Sequence, residues 1–514
     1  MPAVAWQRLG EYLLETRLLG SIQSTLYWDQ STAMPHAGAS WRADQLSLIA
    51  KQLHARQSSS HFEALISEAK VEFEEARVKG DMNSKEELAK LRNLELLKQE
   101  LNRQKSLDPK LVGQLAIAKS EGYNCWQQSK RNADFQLFAP ALTSLIALRQ
   151  EEAGQLAEPR SCWETLAQPF EPDLTFLRLK ELFDPLRTLL PELVEKVRTM
   201  KPSPKKNWEL DSALQKNLTK RLLDDWGRDD SITSVAQSPH PFSSTLGPRD
   251  FRLTTRIVKG QPLSSFLATA HEWGHSLYEQ GLPSQSHQWF AWPLGLATSM
   301  SVHESQSLFW ENRVARSKSF SERWWSRFAE LGAPINSALD LWHFLNPLTP
   351  GLNRVEADEL SYGLHILIRT DLEIALLEDG LEVDALPSEW NRRYKDFLGA
   401  LPADDAEGCL QDVHWSEGLF GYFPSYLLGH LISAQLAEAM SGEFRAQGCE
   451  AVDPLEAFIL SGEESRLLDW LRSNVHCHGR QLNAEQLVQK VTGKKLSSAP
   501  FIHYLLNKLE KLGL

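Results

Sequence analysis

The sequence predicts a mostly α-helical protein with a large helical body and one small β hairpin beside its functional centre. Two observations predict it. Apolar residues recur at 3.6-type spacing from Trp41 to about residue 105, through 110–156 and 174–200, and again from 431 to 514. Clear period-two alternation occurs in one place only, Asp250 to Val258, and its hairpin partner is expected within 241–246. The strand reads as an edge able to hold an extended peptide beside the helix that follows.

Composition narrows the function. With 42% hydrophobic and 24% charged residues the chain is an ordinary globular one. A net charge of −12 leaves no basic surplus for phosphates, which excludes a general nucleic-acid binder. Five widely spaced cysteines with no CxxC pair indicate neither a disulfide scaffold nor a cysteine–zinc module, so five reduced thiols and a cytoplasmic location are expected. His476-Cys477-His478 is no metal trio, because adjacent residues converge poorly on one ion. The first 24 residues carry Glu and Arg inside an apolar helical pattern and do not read as a signal peptide, and no apolar run is long enough for a membrane span. Lys85 to Lys105 reads as a long, mostly solvated helix, and Lys201 to Lys206 as a loop.

The centre of the chain is Leu263 to Pro283, a helix with Ser264 or Ser265 as its cap and Gly281 and Pro283 as its stop. His271 and His275 stand four residues apart and so share a face, where two imidazoles can hold one metal ion. Glu272, at the edge of that face, can serve a metal-bound water as general base without being a ligand. A catalytic site of this kind needs a third protein ligand. Tyr278 and Gly281 exclude the metzincin spacing, and Glu279, one turn on, is badly placed. Glu304, on a second helix expected over Thr298–Ser317, is the better candidate, with Glu311 behind it. Further on, Asn353 to Tyr362 reads on composition as a charged helix face, while Gly408 to His430 is dense in Gly, aromatics and His, a loop suited to oxyanion stabilisation or to packing.

In this order, Trp28–Pro35 (WDQSTAMP), His240–Phe242 (HPF), Asp250–Thr254 (DFRLT), His271–His275 (HEWGH), His303–Gln306 (HESQ), Arg354–Asp358 (RVEAD), Gln411–Trp415 (QDVHW) and Gly421–Gly429 (GYFPSYLLG) resemble the carboxypeptidase Taq family of zinc peptidases. Asn353, Ser425 and His430 depart from that family's usual residues, and none of them is a ligand or the base. The resemblance implies a single helical domain over residues 1–514 with a deep central groove, similar to neurolysin and angiotensin-converting enzyme. It implies a carboxypeptidase releasing single C-terminal residues with broad specificity, using Zn²⁺ or Co²⁺, acting on peptides and commonly homodimeric. It also implies His271, His275 and Glu304 as ligands, Arg354 as the anchor for the substrate's terminal carboxylate with Arg252 in reserve, and one or two of His414, Tyr422 and Tyr426 as oxyanion donors. His240, Asp250, Arg252 and His303 become groove residues or supports of the ligands. The competing expectations are an endo-oligopeptidase on the same helix and a catalytically silent peptide-binding protein.

Overall fold

Almost all of the apolar periodicity becomes helix. The computed structural model describes residues 4–80, 84–156, 159–199, 207–285 and 289–514; the Lys201–Lys206 segment read as a loop lies outside them. Helices Val4–Thr32, Ser60–Lys79 and Ser84–Ser106 enclose a small core of their own, built on Leu9, Phe62, Leu65, Phe73, Leu97 and Leu101. The last of these helices is not mostly solvated as expected. Leu94, Leu97 and Leu101 bury one face, because apolar residues at helical spacing survive among its dense charges. Trp292, from the loop after the central helix, joins this core and stacks on Trp6 at 4.2 Å. The main core begins at Phe135 and runs to Leu509.

The sheet has three strands: β1 (Thr233–Gln237), β2 (Ser243–Gly247) and β3 (Asp250–Thr255). β2 and β3 form the expected antiparallel hairpin, with Arg249 in the left-handed region at φ 64° in the turn. The strand order β1-β3-β2 corrects the edge-strand expectation. β3 pairs on both sides, parallel with β1 and antiparallel with β2, so its backbone groups are engaged and it cannot accept a peptide strand. β1 reads Thr-Ser-Val-Ala-Gln, too weakly alternating to announce itself.

The central helix spans Pro262–Gly281. Pro262 occupies its first turn and Gln261 its N-cap without a side-chain bond, which replaces the serine cap predicted above. Ser265 is buried instead, its hydroxyl 3.0 Å from Pro262 O and 3.1 Å from Gln215 Oε1. The next helix, Met300–Leu308, is capped by Ser299 and passes into a π-helical segment, Phe309–Ala315. These two helices meet backbone to backbone at Gly274, where a Cβ would lie 2.6 Å from Ser307 Cα. Helix Pro424–Ala446 closes on the same centre through Gly429, where a Cβ would lie 2.7 Å from Glu304 Cγ. Among the described residues no helix is long and apolar enough to cross a membrane.

Candidate active site

His271 and His275 project from one face of the central helix toward Glu304. One ligand atom from each lies within 4.8 Å of the other two. Glu304 Oε2 stands 3.7 Å from His271 Nε2 and 3.4 Å from His275 Nε2. Those separations are close to the edge of a tetrahedron whose metal–ligand bonds are about 2.0–2.2 Å, which gives about 3.3–3.6 Å between donors. Two imidazoles and a carboxylate are also the donor types that suit a divalent ion of the zinc kind. On both counts the residues fit a metal. No other group of three His, Cys, Asp or Glu meets that spacing among the described residues.

Both imidazoles are held from behind. His271 Nδ1 lies 3.0 Å from Glu311 Oε2, and Glu311 is itself held by Arg316 at 3.0 Å. Glu311 therefore accepts from Nδ1–H, which leaves Nε2 as the ring nitrogen facing Glu304. His275 Nδ1 sits 2.6 Å from His303 Nδ1 and 3.2 Å from the His303 carbonyl oxygen. His303 Nε2 donates to Glu279 Oε1 at 3.1 Å, so its Nδ1 is free to accept from His275. Glu279, rejected above as a ligand, thus belongs to the support of His275.

The electrostatics favour a cation here. Burial opposes charge on Glu304, but the His271 and His275 imidazoles outweigh it and hold the carboxyl down at about 2. Burial, with His303 behind it, pushes His275 down to about 4, which keeps it a neutral donor. His271 is desolvated too, yet Glu304 and the bond from Glu311 raise it to about 10. A field that favours a proton at that position favours a metal ion as well. Glu272 is buried and makes no hydrogen bond among the described residues; desolvation pushes its carboxyl up to about 7.

A second cluster lies one helical turn away, since Tyr426 precedes Gly429 by three residues on the helix that touches Glu304. His414 Nε2 stands 3.2 Å from the Tyr426 hydroxyl, and its Nδ1 is buried without a partner. The His414 and Tyr422 rings lie 5.3 Å apart. The Gly-rich loop read for this stretch ends earlier than expected: Tyr422 is in it, His414 is on a 3₁₀ turn, and Tyr426 is helical. Arg354, on the short turn Arg354–Glu356 and not on a charged helix, donates through Nε to Asp412 Oδ1 at 2.8 Å and through Nη1 to the Tyr362 hydroxyl at 3.3 Å. Asp412 also receives the fully buried Arg369 at 2.5 Å. One carboxylate between two guanidiniums leaves a net positive charge. Burial opposes ionisation of Asp412, but the Arg369 and Arg354 cations outweigh it and hold the carboxyl far below the usual carboxylate range.

The remaining predicted residues are placed differently. Asp250 and Arg252 form a bidentate pair at 2.8 and 2.9 Å on β3, with the guanidinium 5.7 Å from the Trp28 ring centre. His240 is exposed and outside both clusters, and its ring makes no hydrogen bond among the described residues. His476 is buried against Gln306 Oε1 at 3.0 Å, away from any metal group. The sequence reading missed Asp412, Arg369 and Tyr362, although Asp412 sits inside the QDVHW stretch. It also missed two buried carboxyls that fix the site's elements. Glu171 accepts from Ser301 N and Oγ, both at 2.6 Å, and from Ser425 Oγ at 2.7 Å. Glu373 accepts from Trp163 Nε1, Trp415 Nε1 and Gly421 N, pinning both ends of the His414–Tyr422 stretch.

Residues 8–509 match the family model described as Carboxypeptidase Taq (M32) metallopeptidase. The chain is 34% identical to thermostable carboxypeptidase 1 of Thermus thermophilus, over 99% of each sequence. It is 32% identical to carboxypeptidase 1 of Bacillus subtilis (strain 168), over 95% of this chain and 94% of that one. The crystal structure of an M32 carboxypeptidase from Deinococcus radiodurans R1 superposes with a TM-score of 0.90 at 29% identity, covering 99% of each chain.

Proposed function

Because the chain belongs to the carboxypeptidase Taq (M32) metallopeptidases and is a metal-dependent carboxypeptidase, we propose that His271, His275 and Glu304 hold its metal and that the metal is zinc. The observation that carries this is the His271–His275–Glu304 triangle, with donor spacings near a tetrahedral edge. When bound, the ion supplies Lewis acidity, polarising a carbonyl and lowering the pKa of water. Glu272 takes the proton from the attacking water and returns it to the leaving amine. Its lack of hydrogen bonds among the described residues and its raised carboxyl suit both halves of that shuttle. His414 and Tyr426, hydrogen-bonded to each other, steady the tetrahedral oxyanion, with Tyr422 beside them.

Arg354 binds the substrate's terminal carboxylate. Asp412 orients its guanidinium, and Arg369 satisfies the other side of Asp412, so the pair keeps charge to offer an anion. Arg252 is committed to Asp250, which argues against the reserve role. Asp250, Arg252 and His240 shape the approach for the peptide. Zinc is preferred to cobalt by availability only, and the donor set accepts either. The protein works as a single catalytic domain over residues 1–514, as a cytoplasmic homodimer acting on peptides; its five free cysteines agree with a reducing compartment.

The test compares kcat/KM on free-acid and C-terminally amidated peptides, with and without chelator. Amidation should cost about 2–5 kcal/mol in the wild type, and Arg354→Ala should collapse that preference. Equal cleavage of both substrates by the wild type would remove Arg354 from its role and return the endo-oligopeptidase reading.

A further inference from the structure

A cavity of about 450 Å³ opens between helices Val4–Thr32, Ala39–Gln57 and Ser84–Ser106, strand β2 and the loop around Pro293. Its walls include Leu13, Leu53, Phe62, Leu97, Leu101 and Leu246. One cation lines it, Arg17, and that guanidinium makes no hydrogen bond or ion pair among the described residues. Several inward-facing guanidiniums differ: Arg354 and Arg369 share Asp412, Arg316 holds Glu311, and Arg323 holds Glu464. Arg313 also lacks such a partner among the described residues, but the Tyr504 ring covers it at 3.1 Å. Among the described residues Arg17 has the Phe290 ring, 5.3 Å away, and the more distant charge of Glu279. Glu279 is already engaged by His303. Glu100, the one acid in the lining among the described residues, is likewise held, by Arg480 at 2.6 Å. The amides of Gln57 and Gln104 also face the cavity without hydrogen bonds among the described residues.

A half-buried guanidinium without a counter-ion is costly, and an anion relieves it. A single cation next to an acid fits one negative charge and rejects a dianion such as phosphate. The apolar walls and a volume within the usual small-molecule range of about 300–1,000 Å³ call for a hydrocarbon body. We propose that this cavity binds an apolar monocarboxylate, its carboxylate on the Arg17 fork, its body against the leucines, and Gln57 and Gln104 available to its polar atoms. The site is distinct from the metal triangle, but occupancy is felt there: it neutralises the charge facing Glu279, whose partner His303 contacts His275. A ligand here therefore changes peptide hydrolysis without competing with the peptide.

Two sources offer this chemistry, an aliphatic acid and a free apolar amino acid. Calorimetric titration of the metal-loaded protein with octanoate, octanamide and leucine separates them. Octanoate should bind once per chain, and octanamide about tenfold more weakly or worse, as expected for loss of a charge-assisted bond. Arg17→Gln should weaken octanoate by about the same factor, while Arg354→Ala leaves it unchanged. Gly20→Leu gives a second handle: a Cβ there meets open space, and the larger side chain fills the cavity without disturbing the helix. It should abolish binding with the melting temperature unchanged or raised. Leucine matching octanoate would assign the site to amino acids; leucine failing would assign it to aliphatic acids. Octanoate binding that survives Arg17→Gln but not Arg354→Ala, equal binding of octanamide, competitive inhibition of hydrolysis, or no saturable binding would each overturn the proposal.

Discussion

Gly429→Ala tests the geometry of the proposed metal triangle without replacing any of the three proposed ligands. A Cβ at that position would lie 2.7 Å from Glu304 Cγ and 2.9 Å from Glu304 Cβ. Ordinary carbon–carbon contact begins near about 3.5 Å, so Glu304 or its helix must give way by about 0.8 Å. Metal–ligand distances tolerate about 0.2 Å. The carboxylate that now stands 3.4 and 3.7 Å from the two imidazole nitrogens would leave the tetrahedral edge. Metal affinity should fall by about 10–100-fold or more, the range seen when support for a ligand is disturbed. Overpacking should cost the apo protein about 1–3 kcal/mol as well. Competition with a chromogenic chelator measures the first quantity, and thermal melts in excess chelator measure the second. Gly442→Ala, on the same helix where a Cβ meets nothing within 4 Å, is the control and should be neutral or slightly stabilising. If Gly429→Ala bound metal as tightly as Gly442→Ala does, Glu304 would not be a ligand in the position described.

Three further outcomes are expected. Glu272→Gln should keep its metal, measured by elemental analysis, while kcat falls by several orders; near-normal turnover would assign the base elsewhere. Desolvation raises the Glu373 carboxyl from 4.5 to about 7, so the folded protein keeps a proton that the unfolded chain releases between those values. Its contribution is therefore full below pH 4.5 and is lost as pH rises through about 7, on the order of 1–3 kcal/mol. Melts of wild type and Glu373→Gln from about pH 5 to 8 should show the steeper decline in the wild type, and parallel slopes would contradict the shift. Thiol titration should count five groups after denaturation without reductant, and exposed Cys477 should react well before buried Cys409 in the native protein; a count below five would refute the reduced state.

What was legible in the sequence was what is local. His271, Glu272 and His275 are fixed by helical spacing alone, and the β2–β3 hairpin by alternation across a short turn. The approach of Glu304 to the two imidazoles was legible because its helix follows within one loop. The partners of Arg354 were not, since Asp412 lies 58 residues away and joins Arg369 only through the fold. Glu171 and Glu373 were hidden for the same reason: each looks like a surface carboxyl until three distant donors converge on it. β1 was missed because its residues carry little alternation, and that omission made β3 look like an edge. The serine cap failed because Pro262 already set the helix start and Ser265 was needed inside.

The π-helical segment Phe309–Ala315 bears on sequence change of another kind. A π turn holds one more residue than an α turn, and so acts as a phase shift of about 100° between the turns before it and the turns after it. Upstream, the chain is in phase with Glu304 facing the imidazoles; within the segment Glu311 reaches His271, and just beyond it Arg316 reaches back to Glu311 and to the Leu345 carbonyl. Removing any single residue between Phe309 and Ala315 would let the segment relax to an α-helix and rotate everything on one side of the gap. The local backbone would then be more regular, and Glu304 and Glu311 could no longer face the His271 helix together. Insertions and deletions, usually best tolerated in loops, are here forbidden inside a helix by its arithmetic.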